Sequence, residues 1–377
     1  MKALRKFVDK IKPNFVEGGR FSYLESVFDG FETFLFVPNT TSKSGAHIHD
    51  SIDSKRIMSF VVMALLPALL FGMFNVGYQN AAFAGKLAET SYVEMFVFGF
   101  LAVLPKILVS YIVGLGIEFV WAQLKHEEIQ EGYLVSGIII PMIIPVNCPL
   151  WMLALACAFA VIIGKEIFGG TGMNIFNPAL VARAFLFFSY PTMMSGDKVW
   201  VANDTIFGMG HQLADGTTAA TPLASGNIDI ANAVVGLIPG SIGETSVVAI
   251  ALGAVLLLWT GVASWRTMVS VFVGGGLTAA LFHALGMDAR CVLEHYVLGG
   301  FCFGEVFMAT DPVTSCRTET GKYIYGFLIG VIAIVVRVMN PGYPEGMMLA
   351  ILLMNMFAPT IDSVIVNRNI SKRLKRK

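Results

Sequence analysis

Long apolar stretches without charged residues dominate this sequence. Residues 57–78 contain no acidic or basic side chain, and residues 246–265 and 267–287 read almost the same way. A helix needs about 20 such residues to cross the hydrocarbon core of a bilayer. The sequence therefore predicts an all-α, polytopic membrane protein.

The composition agrees with this class. Only 14% of the 377 residues are charged, whereas soluble domains carry about 25%. The 26 basic and 26 acidic residues cancel, so no overall basic field favours nucleic acid as a partner. The five cysteines are scattered without a C-x-x-C pair, so neither a disulfide framework nor a metal site is predicted. These features exclude a soluble dehydrogenase and a disordered chain.

About ten transmembrane helices are predicted, and four of them are short or interrupted by Pro, Gly or charged residues. Interrupted segments are tolerated in a bilayer only where protein or a cavity covers the freed backbone groups. For residues 95–106 the sequence does not distinguish a membrane-spanning segment from a re-entrant or a surface segment. The predicted spans are 57–78, 107–124, 133–147, 150–164, 179–190, 246–265, 267–287, 291–308, 323–338 and 346–362.

The distribution of Lys and Arg predicts the orientation. Nine of these residues lie in the first 56 positions, and the end of the chain is basic. Because basic segments stay on the cytoplasmic side, both termini are expected to be cytoplasmic. The predicted organisation is a cytoplasmic segment (1–56), a first membrane repeat (57–190), an external loop (191–245), a second membrane repeat (246–366) and a basic cytoplasmic tail (367–377).

Two regions share the same order of elements, which suggests a duplication. In each, a broken apolar segment and a further apolar segment precede an Asn-Pro pair, at residues 177–178 and 340–341. The regions lie five spans apart, so the repeats would have opposite orientations. Two inverted five-helix repeats with broken helices commonly enclose a substrate or ion site. Chance similarity of Gly-rich apolar sequence is the alternative.

Residues 165–185 form a candidate ligand-binding segment at a predicted cytoplasmic mouth. Glycine lets backbone N–H groups approach a ligand, and a helix N-terminus attracts an anion. Arg183 would be costly in lipid and must face a polar partner. A well-capped loop with one snorkelling Arg is the alternative interpretation. The candidate residues are Gly169, Gly170, Thr171, Asn174, Asn177 and Arg183.

Several acids lie within or beside apolar segments and are candidate cation ligands, because carboxylates suit hard cations. Interfacial snorkelling or a salt bridge to a neighbour is the alternative for each. The candidates are Glu118, Glu305, Asp311 and Asp362. The sequence has no phosphate-binding P-loop and no dinucleotide-binding fingerprint, so neither a nicotinamide site nor a catalytic triad is predicted in this chain.

Four motifs together carry a family resemblance. They are G-A-H-I-H-D-S-I-D-S-K-R-I-M (45–58), H-E-E-I-Q-E-G (126–132), K-E-I-F-G-G-T-G-M-N-I-F-N-P-A-L (165–180) and D-G-x-T-x-A-T (215–221). This combination resembles the B subunits of the bacterial Na⁺-translocating NADH:quinone reductase, and the resemblance covers nearly the whole chain.

The resemblance implies a covalent flavin. In that family the last Thr of the fourth motif carries FMN through a phosphoester bond, and here it is Thr221. Asp215, Gly216 and Thr218 are the other motif residues of this cofactor site. Family members usually read S-G-A-T where this chain reads T-A-A-T.

The resemblance also implies riboflavin held without a covalent link, and a site for ubiquinone or menaquinone. The quinone site is expected near Gly114, Gly116 and Glu118. Asp362 matches the acid of the last span that the family uses in Na⁺ uptake, and Glu118 is a second candidate ion ligand.

The implied function is that of a membrane component in the bacterial cytoplasmic (inner) membrane. It would take electrons from flavoprotein and iron–sulfur partner subunits of an NADH-oxidising complex, pass them to quinone and couple this to Na⁺ export. One alternative is the D subunit of the homologous ferredoxin–NAD⁺ oxidoreductase complex, which typically lacks a long polar N-terminal extension such as residues 1–56. A non-redox channel or transporter of similar fold is the other alternative.

Overall fold

The computed structural model describes residues 2–16, 19–36, 44–46, 54–125, 132–213, 219–226, 229–340 and 345–376. Helices and loops make up these residues, among which no β-strand occurs. One isolated antiparallel bridge joins Ile206 and Met209. The predicted all-α class is thereby confirmed.

Sixteen α-helices occur in the described residues. Two precede the membrane region: α1 (Lys2–Ile11) and α2 (Glu25–Leu35). The first half contains α3 (Ser54–Phe83), α4 (Tyr92–Lys125), α5 (Tyr133–Met142), α6 (Leu150–Gly164) and α7 (Pro178–Ser189). The loop between the halves contains α8 (Pro191–Met194), α9 (Pro222–Ser225) and α10 (Ile230–Val235). The second half contains α11 (Val247–Trp259), α12 (Trp265–Ala284), α13 (Val292–Val297), α14 (Phe301–Phe303), α15 (Glu319–Met339) and α16 (Met347–Leu374).

Among the described residues, six helices are long and apolar enough to cross a membrane, and α5, α7 and α11 are shorter apolar helices. The interrupted segment from α13 through α14 completes a set of ten elements that matches the ten predicted spans. The protein is therefore a polytopic membrane protein.

The segment that the sequence left open is part of α4. This helix continues through Pro105 for 34 residues, although Pro removes one backbone donor and normally kinks or ends a helix. The neighbouring Lys106 is buried, and its ammonium group donates to the Ala102 carbonyl at 3.3 Å. This hydrogen bond within α4 stabilises the Lys106 charge, so the helix does not end at Pro105.

The two halves pack in the same order. In the first half α4 contacts α5 and α6, and α6 contacts α7; in the second half α12 contacts α13 and α15, and α15 contacts α16. The halves touch through their first helices, α3 and α11, and through their last, α7 and α16. Contacts between equivalent elements are expected of a duplicated architecture. The inverted orientation of the halves and the domain boundaries stay predictions.

The end of the loop between the halves enters the core and touches both interrupted helices. The Gly243 N–H donates to the Met142 carbonyl at the end of α5, at 2.7 Å. The Glu244 carboxylate lies beside Gly300, at the interruption between α13 and α14, where an added Cβ would approach it within 2.6 Å. Residues 243–244 therefore connect the two places where the membrane helices are broken.

Candidate functional site

Thr221 directly precedes the short helix α9 as its N-cap residue. It has extended backbone angles (φ −62°, ψ 151°), Pro222 follows it, and Gly226 ends the helix with φ +72°. Pro suits the first helical position because its missing N–H would have no partner there. Thr221 is half-buried, and its hydroxyl makes no hydrogen bond within the described part of the chain. The hydroxyl is therefore available for covalent modification.

A small cavity lies beside Thr221, and we call it the Thr221 pocket. Its volume is about 20 Å³, which is room for about one water molecule. The loop between the halves and the second half form its wall. Its polar lining residues are Thr221, Ser241, Glu244, Thr245 and Glu345.

Arg183 links the wall of the Thr221 pocket to the first half. Its guanidinium donates to the Glu244 carboxylate at 2.6 Å and also binds the Glu345 carboxylate. Arg183 and Glu244 are both buried. Arg337 donates to the Glu345 backbone carbonyl at 3.3 Å and lies over the Phe301 ring. Two basic and two acidic side chains thus form one charge-balanced cluster.

This position corrects the expectation for Arg183. The sequence placed it with the Gly-rich segment at one mouth of the protein, whereas the structure places its guanidinium against Glu244 and Glu345. The physical reason is that α7, which begins at Pro178, carries the side chain into the core, where two carboxylates compensate its charge. The predicted cofactor residues therefore divide between two sites.

Several other residues of the Gly-rich segment line a second cavity, which we call the Lys165 cavity. It has a volume of about 90 Å³ and lies between α3, α5, the Gly-rich segment and the loop after α14. Gly169 and Gly170 do not line it, but both have positive φ (112° and 91°), a conformation that glycine adopts without strain. Its polar lining residues are Ser136, Lys165, Thr171, Asn174, Asn177, Thr310 and Asp311.

The polar groups of the Lys165 cavity are only partly satisfied. The Asn177 side chain accepts from the Ala179 N–H at 3.0 Å as the N-cap of α7, and it donates to Asp311 at 3.4 Å. Burial raises the pKa of Asp311. The Thr171 hydroxyl oxygen is buried and has no hydrogen-bond partner among the described residues. An orphaned buried hydroxyl in a cavity wall fits a polar ligand.

Glu118 forms an ion pair with Lys165 behind this cavity. Both side chains are 4% exposed, and the second carboxylate oxygen of Glu118 has no hydrogen-bond partner in the described residues. The salt-bridge alternative for Glu118 is therefore observed. Lys165 itself lines the cavity, so the pair connects α4 to this space.

Gly114 and Gly116 differ in their surroundings. A Cβ at Gly114 would overlap with the Tyr133 ring of α5, whereas a Cβ at Gly116 would meet nothing within 4 Å. Gly114 therefore permits the close packing of α4 on α5. Gly116 is the one of the pair that leaves space beside α4.

Asp362 stabilises the start of α15. Its carboxylate accepts from the Arg317 N–H at 2.7 Å, from the Thr318 N–H at 3.1 Å and from the Thr318 hydroxyl. It lies on the wall of a third cavity of about 570 Å³, which we call the Asp362 cavity. Asn174 and Val313 line both this cavity and the Lys165 cavity, so the two spaces lie on either side of the same residues.

Some of the predicted site residues lie outside the part of the chain that the structure describes. Asp215, Gly216 and Thr218 lie outside the described residues, as do residues 126–131 and the Pro at position 341. Other residues of the sites were not singled out by the sequence. Glu345 carried no signal because it lies 162 residues from Arg183, and Lys165 was visible only as a member of a motif.

The fold and these cavities define an all-helical, polytopic membrane protein with polar sites where its two halves meet. Residues 41–371 match the model of the NQR2, RnfD, RnfE family. The chain belongs to this family.

Three relatives match the chain over nearly its whole length. The chain is 43% identical to the B subunit of the Na⁺-translocating NADH-quinone reductase of Chromohalobacter salexigens, over 99% of this chain and 96% of the relative. It is 42% identical to the corresponding B subunit of Azotobacter vinelandii and 40% identical to that of Pseudomonas aeruginosa, over 99% of both chains in each case. These relatives are subunits of an oxidoreductase complex that translocates Na⁺.

Proposed function

We propose that this chain is the membrane subunit of a Na⁺-translocating NADH:quinone reductase that carries FMN on Thr221 and relays electrons to quinone. Full-length similarity to subunits with that name supports the complex. The observation that carries the flavin assignment is the unbonded hydroxyl of Thr221, placed next to the buried Arg183 cluster at the junction of both halves.

The Thr221 site fits the attachment of FMN but not the enclosure of its ring. A phosphoester requires only a hydroxyl, which Thr221 presents. The Thr221 pocket holds about 20 Å³, so an isoalloxazine ring would not fit inside it. FMN supplies one- and two-electron redox chemistry when it is bound.

The Arg183 cluster supplies the electrostatics of this site. Arg183 is held by Glu244 and Glu345, so its charge is fixed in position before any ligand charge develops. Preorganised charges act more strongly in a water-poor site than in water. The charged groups that line the Thr221 pocket are the carboxylates of Glu244 and Glu345, and Arg183 compensates their charge from behind the wall.

The Lys165 cavity is the proposed site of riboflavin, and its volume of about 90 Å³ would hold only part of the flavin. Thr171 presents an unpaired hydroxyl, Lys165 a cation and Asp311 a carboxylate, while Asn174 and Asn177 hold the surrounding loop by hydrogen bonds to the backbone. Donors and acceptors that alternate around an apolar space suit the polar edge of a flavin ring. Gly169 and Gly170 do not line the cavity and would support the ligand only through the shape of the loop.

The quinone and ion assignments extend the same proposal. Gly116 leaves space on α4, within one turn of the buried pair of Glu118 and Lys165, and this surface is the proposed ubiquinone or menaquinone site. Asp362 lines the Asp362 cavity and is the proposed Na⁺ ligand, with Glu118 as a second candidate. The chain is expected in the bacterial cytoplasmic membrane with both termini in the cytoplasm, next to flavoprotein and iron–sulfur subunits.

In-gel fluorescence tests the flavin assignment. The complex is produced with its flavin-attaching enzyme, denatured and separated, so that only covalent flavin remains on this chain. We expect fluorescence from the wild type and from Thr221→Ser, and none from Thr221→Ala. The neighbouring Thr217→Ala, at the variable position of the motif, serves as the matched control and is expected to stay fluorescent.

A further inference from the structure

Glu305 lies in the interrupted segment of the second half, where the helix widens. After the interruption, α14 continues into a π-helical turn (Gly304–Met308), in which the Ala309 N–H donates to the Gly304 carbonyl at 2.7 Å. Glu305 is the second residue of this turn, and its side chain is completely buried. Such turns within helices frequently mark functional sites.

The carboxyl group of Glu305 has no hydrogen-bond donor. Neither of its oxygens has a hydrogen-bond partner in the described residues, and no basic group there lies within ion-pair distance. Three other acids of the membrane region do have partners. They are Glu118 with Lys165, Glu244 with Arg183, and Asp311 with the Thr314 hydroxyl.

The groups around Glu305 do not supply a counter-charge. Tyr296 and Cys302 of the same segment are close enough to interact with it electrostatically. Both are committed elsewhere, because the Tyr296 hydroxyl donates to the Phe272 carbonyl at 2.6 Å and the Cys302 thiol to the Tyr296 carbonyl at 3.2 Å. Arg337 near Phe301 donates to the carbonyls of His295 and Glu345.

The helices packed against the π-helical turn are α11, α12 and α16, in addition to α14. Helix α11 carries no titratable side chain. Those of α12, Arg266 and His283, lie near its two ends, and the first of α16 is Asp362 in its second half. An ionised carboxylate at position 305 would therefore be uncompensated, and a lone buried charge is costly enough that such a group takes up a proton instead.

We propose that Glu305 is a proton-binding site inside the membrane. In the resting protein its carboxyl group is the neutral acid. The O–H bond breaks, and the proton passes to water, only when the interrupted segment opens enough to admit water to the resulting carboxylate. Gly299 has φ +67° and adjoins Gly300; this pair interrupts the helix ahead of the turn, and glycine changes its backbone angles at low steric cost. This inference is independent of the flavin and quinone assignments, since it rests on the geometry of this segment.

Labelling with dicyclohexylcarbodiimide tests the proposal on the purified, intact complex. This apolar reagent reaches protonated carboxyl groups in apolar sites. The carboxyl oxygen bonds to the central carbon of the reagent, one C=N bond becomes a single bond, and the acid proton moves to that nitrogen. We expect peptide mass spectrometry to find the adduct on Glu305 and not on the ion-paired Glu118 or Glu244. Labelling is expected to slow as the pH rises and to be the same in Na⁺ and K⁺. No adduct on Glu305 in the folded complex, or protection by Na⁺ alone, would overturn the assignment.

A substitution gives an independent readout. Gln has the shape of the neutral acid, so Glu305→Gln is expected to keep the thermal stability of the complex while it removes the infrared carbonyl band of a protonated carboxylic acid. Glu118→Gln is the matched control and is expected to retain that band. A destabilised Glu305→Gln protein with an unchanged band would show that Glu305 is ionised and paired, which contradicts the proposal.

Discussion

The guanidinium of Arg183 and the carboxylate of Glu244 meet at 2.6 Å in the core of the protein. This contact joins the last helix of the first half to the loop that connects the halves. The same loop contains Thr221, and its residue Gly243 binds the end of α5. The proposed flavin carrier is therefore mechanically connected to the interrupted helices.

Removal of the Arg183 charge is expected to destabilise the protein. Arg183→Leu leaves the buried Glu244 and the partly exposed Glu345 without their shared cation, and breaking a buried ion pair in this way costs about 3–5 kcal/mol. Thermal unfolding of the purified complex in detergent measures the loss. Arg266→Leu is the control, because its partner Glu319 is exposed, and we expect a much smaller shift of Tm. Equal shifts for both variants would contradict the structural role of Arg183.

Glu118 and Lys165 are expected to act as a pair. Glu118→Gln or Lys165→Met alone leaves one buried group uncompensated, whereas the double variant removes both charges. Since the singles share one interaction, the double variant is expected to be more stable than the sum of their losses predicts, by about 0.5–3 kcal/mol. A double-mutant cycle on Tm measures this coupling. Additive losses would show that the two side chains do not interact.

Two glycines of α4 allow packing and ligand binding to be separated. Gly114→Ala forces a methyl group against the Tyr133 ring, and overpacking of this kind costs about 1–3 kcal/mol. Gly116→Ala has open space and is expected to leave Tm unchanged. If Gly116 faces quinone, Gly116→Leu raises the KM for quinone without lowering Tm. An unchanged KM in a stable Gly116→Leu protein would move the quinone site elsewhere.

Asp362 combines a structural and a proposed ionic role, and two variants distinguish them. Asp362→Asn removes the charge, whereas Thr318→Val keeps it and removes the hydroxyl that donates to the carboxylate and caps α15 by accepting from the Gly321 N–H. Both are expected to destabilise the start of α15, by about 0.5–2 kcal/mol for the lost cap. Only Asp362→Asn is expected to raise the KM for Na⁺ in turnover assays. An equal rise in both variants would assign Asp362 to helix capping alone.

The membrane elements could be predicted from the sequence because each depends on local composition. Long uncharged runs predicted the spans, and Pro, Gly or charged residues marked four of them as short or interrupted. The boundary before Lys106 was left open because Pro105 and a charge usually end a span. Only the structure shows that Lys106 finds a carbonyl within its own helix.

The candidate sites could be predicted less completely, since their contacts are long-range. The motif at residues 165–180 indicated a ligand-binding segment, and that segment does surround a cavity. Nothing near Arg183 in the sequence pointed to Glu244 or Glu345, which lie 61 and 162 residues away. Partners of a buried charge follow from the packing of the two halves, which no local pattern encodes.

Mass spectrometry of the peptide that contains Thr221 tests the central claim most directly. The complex is purified after production with the flavin-attaching enzyme and digested, and the mass of this peptide is compared with that from the Thr221→Ala variant. We predict that the wild-type peptide carries the added mass of FMN, with fragmentation placing it on Thr221. An unmodified Thr221, or FMN on Thr217 or Thr218 instead, would contradict the account.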